Sequence, residues 1–292
     1  ALDLLRYYNI PVYDSLDVSA KCIAVLVEYG SYLSSYHTKT SFKLNWKAKA
    51  KPGGNKIIKG ALREGRHALL EHEGKKLFEI HGAPVPQDCL VQSADEAVQC
   101  ALDLGTDVAL KIVSPDILHK SDAGGVRIKL NTEKEIRAAY REIMKSSKKY
   151  APEADIRGVL VSPMAAEGVE VIIGTKIDDQ FGPVIMYGLG GIMVEIIKDV
   201  AFRVLPISPT GARKMIAETN SYPILDGARG TPPLDKKALQ RLLVLCSDIV
   251  EAYPQIQEMD LNPVIVHQKG VSVVDVRIIL KTDDSGQSTE DR

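Results

Sequence analysis

The sequence predicts an α+β fold, in which helices and strands are mixed without strict alternation. Short segments rich in β-branched residues are interspersed with longer segments whose apolar residues recur at helical spacing. The chain has 292 residues, of which 45% are hydrophobic, so it is long enough to bury a sizeable core.

The first elements predicted are a helix, a short strand and a second helix within residues 1–45. ALDLLRYYNIPVY is typical of a helix that runs into an extended X-Pro segment, and SLDVSAKCIAVLVEYGSYL has helical spacing behind a Ser15 cap. A unit this short cannot close its own core, so we expect it to pack on a partner or on the rest of the chain.

Residues 46–60 are interpreted as a basic, solvated linker. The Pro-Gly-Gly at their centre is typical of connectors, and the GxxxxGK[ST] spacing of a phosphate loop is absent. The main domain is predicted over 61–280, followed by a polar tail over 281–292 that we expect to be disordered.

Capping residues mark the helices in the first half of the main domain. HALLEHEGKKLFEIHG predicts a helix that ends near Gly82. Ser93–Glu96 predicts a capping box that opens a helix ending at Gly105. A second box, beginning at Thr132, predicts a long helix to about Tyr150.

The strands are predicted from runs rich in β-branched residues. In chain order these runs are DVALKIV, RIKL, RGVLVSPM, VEVIIGT, GPVIMYGLG, IMVEIIKD and AFRVLPI. Helices are then predicted from Pro209 and from about Asp235, and the strands MDLNPVIV and VSVVDVRIIL complete the domain.

The composition argues against several classes of partner. The net charge is -1 and aromatic residues make up 5%, which does not favour nucleic acid. No apolar run is long enough to span a bilayer, so we expect no membrane segment. The scattered cysteines, without any CxxC pair, predict free buried thiols in a reducing cytoplasm, and hence a cytoplasmic protein; they are Cys22, Cys89, Cys100 and Cys246.

The stretch VALKIVSPDILHKSDAGGV carries the strongest chemical signal. Lys111 lies within an apolar strand, where a buried ammonium needs an anionic partner. The partner could be an internal carboxylate, or the lysine could lie on an edge strand and extend its ammonium group into solvent. However, the loop that follows contains Gly124 and Gly125, whose backbone N–H groups could approach phosphate oxygens. Lysine and loop together favour binding of a nucleotide's phosphates.

His119 lies in the same loop, between the lysine and the glycine pair. A surface histidine without a role is the ordinary alternative. An imidazole beside a phosphate site can also act as a nucleophile near neutral pH. The neighbourhood therefore favours a histidine that accepts a phosphoryl group.

The two C-terminal strands predict a magnesium site. Asp260 and Asn262 are two residues apart and face the same side of a strand. A turn around 268–270 folds the next strand back, which places Asp275 opposite Asn262 to within a residue or two. Such an oxygen-rich cluster suits Mg²⁺. The alternative is turn chemistry beside a solvated strand face.

The middle segment, GPVIMYGLGGIMVEIIKDVAFR, gives a weaker signal. Its GLGG fits tight packing as well as it fits a ligand loop. Glu195, Asp199 and Arg203 follow on strand-like spacing and could reach a phosphate site, although salt bridges between strands would give the same pattern.

These stretches together resemble the ATP-grasp domain of nucleoside-diphosphate-forming acyl-CoA synthetases, the ADP-forming acetyl-CoA synthetase group related to succinyl-CoA synthetase. The resemblance covers about residues 65–280. Residues 1–45 resemble the end of the last flavodoxin-like domain in that family's CoA-binding half.

The resemblance implies that acyl-CoA, phosphate and ADP are converted reversibly into free acid, CoA and ATP. In this family a histidine of the CoA-binding half takes phosphate from an acyl phosphate, and a mobile segment carries it to the ATP-grasp half. There His119 matches the second phosphohistidine, which passes the phosphoryl group to ADP. Lys111 matches the phosphate-binding lysine. Asn262 and Asp275 match Mg²⁺ ligands, with Asp260 close by.

The resemblance also implies a nucleotide cleft for ATP or ADP. The residues expected in it, besides Lys111, are Gly124, Gly125, Ser162, Met164, Glu170, Glu195 and Arg203. Family members commonly have Gln or Glu in place of Ser162-Pro163, where the backbone contacts the base. This departure leaves the choice between adenine and guanine open.

The CoA-binding half, with its own histidine, is missing from this chain. The resemblance therefore implies a partner that supplies it, binding of acyl-CoA and CoA through that partner, and a hetero- or homo-oligomeric assembly. Two alternatives remain. One is a nucleotide-sensing regulatory module of a protein acyltransferase. The other is an ATP-grasp ligase that forms an acyl phosphate for attack by an amine.

Overall fold

The computed structural model describes residues 7, 8, 12, 13, 15–43, 48–117, 119–190 and 199–281, and the chain divides into a short unit over 1–48 and a large one over 49–292. In the short unit the described residues contain helix α1 (Leu16–Lys43). The preceding helix and strand that the sequence predicts lie mostly outside the described residues. The assignment of this unit to a flavodoxin-like domain stays a prediction.

The large unit contains two antiparallel sheets with helices packed against them. Its helices are α2 (Pro52–Arg63), α3 (Glu71–Ile80), α4 (Ala94–Leu104), α5 (Glu133–Tyr150), α6 (Pro209–Ala217), α7 (Tyr222–Leu225) and α8 (Lys236–Ala252), with a 3₁₀ turn at Ala228–Gly230. Its strands are β1 (Cys89–Val91), β2 (Val108–Val113), β3 (Val126–Leu130), β4 (Gly158–Pro163), β5 (Val169–Asp178), β6 (Gly182–Leu189), β7 (Val200–Val204), β8 (Ile256–Val266), β9 (Val271–Val273) and β10 (Val276–Leu280).

The smaller sheet has the strand order β1-β4-β2-β3. One face packs on α4 and α5 through buried side chains that include Leu110, Ile112 and Ile143. Because side chains alternate along a strand, Lys111 points to the opposite face. Strand β2 is buried along its whole length, so both of its faces are covered.

The predicted capping residues begin these two helices. Ser93 accepts a hydrogen bond from the Glu96 backbone N–H, and α4 ends at Gly105 with φ of 65°. The Glu96 carboxylate accepts from the Gln92 N–H, so the predicted capping box is only half formed. At Thr132 both halves of the box are present. The two helix predictions are confirmed.

The larger sheet has the order β10-β8-β5-β6-β7, and β9 pairs with β8. Its core combines strand residues such as Ile173 and Ile185 with helix residues such as Leu239 and Leu242 of α8. The predicted strand IMVEIIKD lies almost entirely outside the described residues. The last predicted strand divides into β9 and β10, with Asp275 between them.

The prediction of a solvated linker over 46–60 is wrong for its second half. Pro52–Arg63 is a helix in which Gly54, Ile58 and Ala61 are buried. The Lys51 N–H donates to the Tyr253 hydroxyl at 3.0 Å, which fixes the start of this helix on the core. The Pro-Gly-Gly therefore opens a packed helix, because proline suits the first helical turn and glycine permits close approach.

The prediction of four free thiols is also wrong. Cys89 of β1 and Cys100 of α4 form a disulfide with Cα atoms 6.4 Å apart. Cys22 and Cys246 are free, and Cys246 is buried. None of the helices among the described residues combines the length and the apolar character needed to cross a bilayer.

We expect Gly54→Ala to destabilise the protein, because a Cβ there would overlap the Tyr253 hydroxyl and lie 2.7 Å from Leu77 Cδ1. Overpacking of this kind costs about 1–3 kcal/mol. Gly60 provides a control in the same helix, since a Cβ there meets nothing within 4 Å. Gly60→Ala should stabilise the helix by about 0.5–1 kcal/mol. Urea unfolding measures both variants, and equal effects of the two would contradict the packing argument.

Candidate active site

A cleft of about 700 Å³ lies between the two sheets of the large unit. One wall comes from β2, the loop after it and the end of β4. The other wall comes from β8, Asp275 and β10. The residues predicted from sequence that line it are Lys111, His119, Ser162, Met164, Glu170, Asp260, Asn262 and Asp275.

Lys111 lies at the centre of the cleft wall and is 6% exposed. Its Nζ donates to Glu71 Oε1 at 2.6 Å and to the Val274 carbonyl at 3.3 Å, and it lies 3.5 Å from Asp275 Oδ2. The buried lysine thus has an internal carboxylate partner and also faces the cleft.

Glu71 is the partner that sequence reasoning missed. It begins helix α3, and its side chain is 1% exposed. Its carboxylate contacts three ammonium groups: Lys75 at 3.0 Å, Lys111 at 2.6 Å, and Lys120. Lys75 is further paired with Asp88 at 2.6 Å.

The charges in this cluster stabilise one another. Burial alone would raise the pKa of Glu71, but the ammonium groups of Lys111, Lys120 and Lys75 outweigh it and hold that pKa well below its usual range. Burial likewise opposes the charge of Lys111, yet the Glu71 carboxylate raises the pKa of Lys111 above its ordinary value. Glu71 and Lys111 are therefore both charged near neutral pH.

The loop after β2 places His119 at the mouth of the cleft, where it is exposed. Turn hydrogen bonds hold the loop: the Ala123 N–H donates to the His119 carbonyl at 3.3 Å, and the Gly125 N–H donates to the Lys120 carbonyl at 2.7 Å. The side chain of Lys120 returns across the loop to Glu71.

Gly124 and Gly125 do not line the cleft among the residues that the structure describes. Their N–H groups donate to the carbonyls of Ser121 and Lys120, which corrects the expectation that they approach phosphate. Gly124 has φ of 62°, and a Cβ at Gly125 would lie 3.0 Å from the Lys120 carbonyl oxygen and closer still to Ile112. The glycines therefore shape the loop that presents His119 and Lys120.

The opposite wall brings the predicted oxygen ligands together. Leu261 pairs with Val276, and Val264 pairs with Val273. The Val274 N–H donates to the Pro263 carbonyl at 3.1 Å. This register places Asp275 directly across from Asn262, which confirms the predicted hairpin geometry.

Asp260 has a carboxylate that accepts no hydrogen bond from any described side chain or backbone group. Burial raises the pKa of Asp260 to about 6, and the nearby carboxylates of Glu258 and Asp275 add to the shift. Arg277, paired with Asp260 across the strands, opposes it. A half-buried carboxylate without a hydrogen-bond donor is costly when ionised, and a bound cation would offset that cost.

These three residues fit a hard divalent cation. No group of three His, Cys, Asp or Glu side chains within the described part of the chain could hold a metal, so the amide oxygen of Asn262 is needed beside Asp260 and Asp275. Carboxylate and amide oxygens are the protein ligands that Mg²⁺ prefers.

The end of β4 lines a further part of the same cleft. Ser162 is 3% exposed, and its Oγ has no hydrogen-bond partner among the described residues. The Met164 N–H donates to the Asp107 carbonyl at 2.8 Å, so this donor is already used. Glu170 lies exposed on β5 at the edge of the cleft.

Arg203 does not line the cleft among the described residues. It lies on the edge strand β7 and pairs with Glu218, which fits the salt-bridge alternative, so its role at a phosphate site stays a prediction. Asp199 instead accepts hydrogen bonds from the backbone of Asn220 and Ser221. Glu195 lies outside the described residues, and its role stays a prediction.

Comparison with known proteins identifies the class first. Residues 60–280 match the model of an ATP-grasp domain family. The chain therefore belongs to the ATP-grasp proteins, as the two-sheet cleft with its lysine and oxygen ligands also indicates.

Individual relatives narrow the class. The chain is 49% identical to the β subunit of acetate–CoA ligase (ADP-forming) II from Pyrococcus furiosus over 229 residues, which are 77% of this chain and 97% of that subunit. It is 40% identical to 4-hydroxybutyrate–CoA ligase (ADP-forming) from Nitrosopumilus maritimus over 279 residues, which are 94% of this chain but only 39% of that longer protein.

A solved structure of the Candidatus Korarchaeum cryptofilum dinucleotide-forming acetyl-coenzyme A synthetase 1 matches with a TM-score of 0.69 and 44% identity, over 78% of this chain and all of that one. It contains coenzyme A and Mg-AMPPCP, with a phosphohistidine segment pointing towards the nucleotide binding site. The chain belongs to the ADP-forming acyl-CoA synthetases, a family of acid–thiol ligases, and it is their ATP-grasp half.

We expect Asp260→Asn to stabilise the metal-free protein at pH 8. Ionised Asp260 destabilises the fold because its folded pKa of about 6 lies above the ordinary value of about 3.9. The destabilisation is fully present above about pH 6, decreases progressively as the pH falls from there, and is absent below the ordinary pKa of about 3.9, so the gain at pH 5 should be smaller than at pH 8. Allowing for solvent screening, the gain is about 1–2 kcal/mol. Urea unfolding in EDTA at pH 8 and at pH 5 measures it.

Asp275→Asn is the matched control for this prediction. The Asp275 side chain is 31% exposed and lies near Lys111, so its removal loses an attraction and should not stabilise the protein. A D260N variant that is less stable than the parent at pH 8 would contradict the argument.

Proposed function

We propose that this chain acts as the nucleotide half of an ADP-forming acyl-CoA synthetase, with His119 as its phosphoryl carrier. In the direction of ATP synthesis, His119 receives a phosphoryl group that originates from acyl-CoA and inorganic phosphate, and passes it to ADP. The observation that carries the proposal is the placement of His119 at the mouth of one cleft, with lysines on one wall and three oxygen donors on the other.

The lysine wall suits the phosphates of ATP or ADP. Lys111 offers a positive charge on one wall of the cleft, and the exposed imidazole of His119 leaves a ring nitrogen accessible to a phosphoryl group. The transfer breaks the bond between phosphorus and the imidazole nitrogen and forms one to the terminal oxygen of ADP. No proton or electron is consumed in that exchange.

The opposite wall suits Mg²⁺. Asp260, Asn262 and Asp275 would hold it, and phosphate oxygens of the nucleotide would complete its coordination. A bound magnesium ion neutralises charge on the phosphates during phosphoryl transfer. The Korarchaeum relative is in complex with Mg-AMPPCP, which supports binding of a magnesium–nucleotide complex in this cleft.

The part of the cleft lined by the end of β4 suits the nucleobase. The unpartnered Ser162 hydroxyl and the side chain of Met164 line it, beside Glu170 at its edge. A hydroxyl can donate or accept, so it is compatible with either purine.

The CoA-binding half would be supplied by a partner subunit or by further domains. The relatives match this chain in both arrangements: a separate β subunit of which it covers 97%, and a longer protein of which it covers 39%. These relatives are named for different acids, acetate and 4-hydroxybutyrate. We infer that the acid is selected outside this half and that the complete enzyme is an oligomer of both halves.

The test uses the chain with Mg²⁺ and ATP labelled on the γ-phosphate. We expect acid-labile, base-stable label on the protein, and its complete loss in His119→Ala. His67→Ala is the matched control, because His67 is an exposed histidine that does not line the cleft. The measurement is the amount of label retained after acid and after base treatment.

If wild-type chain binds nucleotide without taking up label, the experiment is repeated with the CoA-binding half of a relative. Label that appears only in the presence of that half would mean that the CoA-binding half completes the phosphorylation site. Absence of label in the presence of that half would reject the relay and favour a nucleotide-sensing module.

A further inference from the structure

Lys120 lies between His119 and the wall of the cleft that carries Asp275. It follows His119 directly in the chain, lines the cleft, and pairs with the buried Glu71 carboxylate. Its Nζ also lies 3.7 Å from Asp275 Oδ1, on the wall of oxygen donors. Its side chain is 20% exposed.

The other two lysines of the cluster are held more firmly. Lys75 has a second carboxylate partner, Asp88, at 2.6 Å and a side chain 5% exposed. Lys111 has a second acceptor in the Val274 carbonyl and a side chain 8% exposed. Of the three lysines, Lys120 is therefore the one whose ammonium group can leave Glu71 at the smallest cost in free energy.

The charges of the cluster balance among the described residues. Three ammonium groups face three carboxylates, those of Glu71, Asp88 and Asp275. A phosphate dianion entering this balanced cluster gains little attraction. When Asp275 binds a cation, one ammonium group loses its counter-charge and becomes available to a phosphate.

We propose that Lys120 exchanges Glu71 for the phosphoryl group in transit between the nucleotide and His119, and so acts as a further catalytic residue of the transfer. Glu71 acts as the positioning residue that stores the ammonium beside the histidine when no phosphate is present. The inference rests on the proposed function of His119.

The exchange changes only hydrogen bonds and ion pairs. The covalent step stays between the terminal phosphate of the nucleotide and the imidazole nitrogen, while the Lys120 ammonium donates to the non-bridging oxygens that carry negative charge. Glu71 does not become an unpaired buried charge, because Lys75 and Lys111 remain beside it.

The experiment compares Lys120→Gln and Lys120→Arg with the control Lys134→Gln, since Lys134 is an exposed lysine on α5 away from the cleft. In each full-length variant, calorimetry gives the affinities for Mg·ATP and Mg·ADP, and γ-labelled ATP gives the rate of His119 labelling. Thermal melting checks that each variant is folded.

We expect Lys120→Gln to slow labelling by about tenfold or more and to weaken Mg·ATP by about tenfold, because one charge-assisted hydrogen bond to the terminal phosphate is lost. Mg·ADP, which lacks that phosphate, should bind within about twofold of wild type. Lys120→Arg should restore most of the labelling, and Lys134→Gln should match wild type.

Equal weakening of ATP and ADP would overturn the proposal, because Lys120 would then hold the nucleotide rather than the transferred group. Unchanged labelling and unchanged affinities in Lys120→Gln would overturn it as well. If wild type takes up no label even with the CoA-binding half, the proposed relay fails. The ratio of ATP to ADP affinity then still decides whether Lys120 contacts the terminal phosphate.

Discussion

The buried carboxylate of Glu71, surrounded by three ammonium groups, is the interaction on which the rest of the site depends. An ion removed from water is tolerated only with close partners of opposite charge. Glu71 begins α3, which packs on β10 of the larger sheet, whereas Lys111 and Lys120 belong to the smaller sheet and its loop. The same contacts that neutralise the cluster therefore set the spacing between the two walls of the cleft.

This arrangement explains how a lysine can lie in an apolar strand without weakening it. Lys111 faces away from the α4–α5 core and towards Glu71, while its neighbours Leu110 and Ile112 fill that core. A single alternating strand thus fills the core with one face and presents a buried ammonium to the cleft with the other, where the proposed function requires it.

The parts of the structure that could be predicted from sequence are those fixed by local chemistry. The caps at Ser93 and Thr132 involve groups three residues apart, and the pairing of Asn262 with Asp275 follows from a short turn. Glu71 could not be found in this way, because it is 40 residues from Lys111 and 49 from Lys120. No local pattern marks such a partner.

Other features that the sequence did not reveal also depend on contacts between residues that are distant in the chain. The spacing of Arg203 correctly indicates a strand, but only the order of strands shows that this strand is the far edge of the sheet. Gly54, in the segment predicted to be a linker, packs on Tyr253. The local composition of a segment does not reveal a contact with a residue so far away in the chain. The Cys89–Cys100 pair likewise depends on how α4 folds back beside β1.

The hairpin between β8 and β9 has a consequence for how related chains can differ in length. Its four-residue turn fixes which side chain stands across from Asn262. Inserting or deleting a single residue there would slide one strand past the other and turn Asp275 to the opposite face of the sheet. A change of length at this turn is thus compatible with cation binding only when the added or removed residues keep Asp275 paired with Asn262 and on the same face of the sheet.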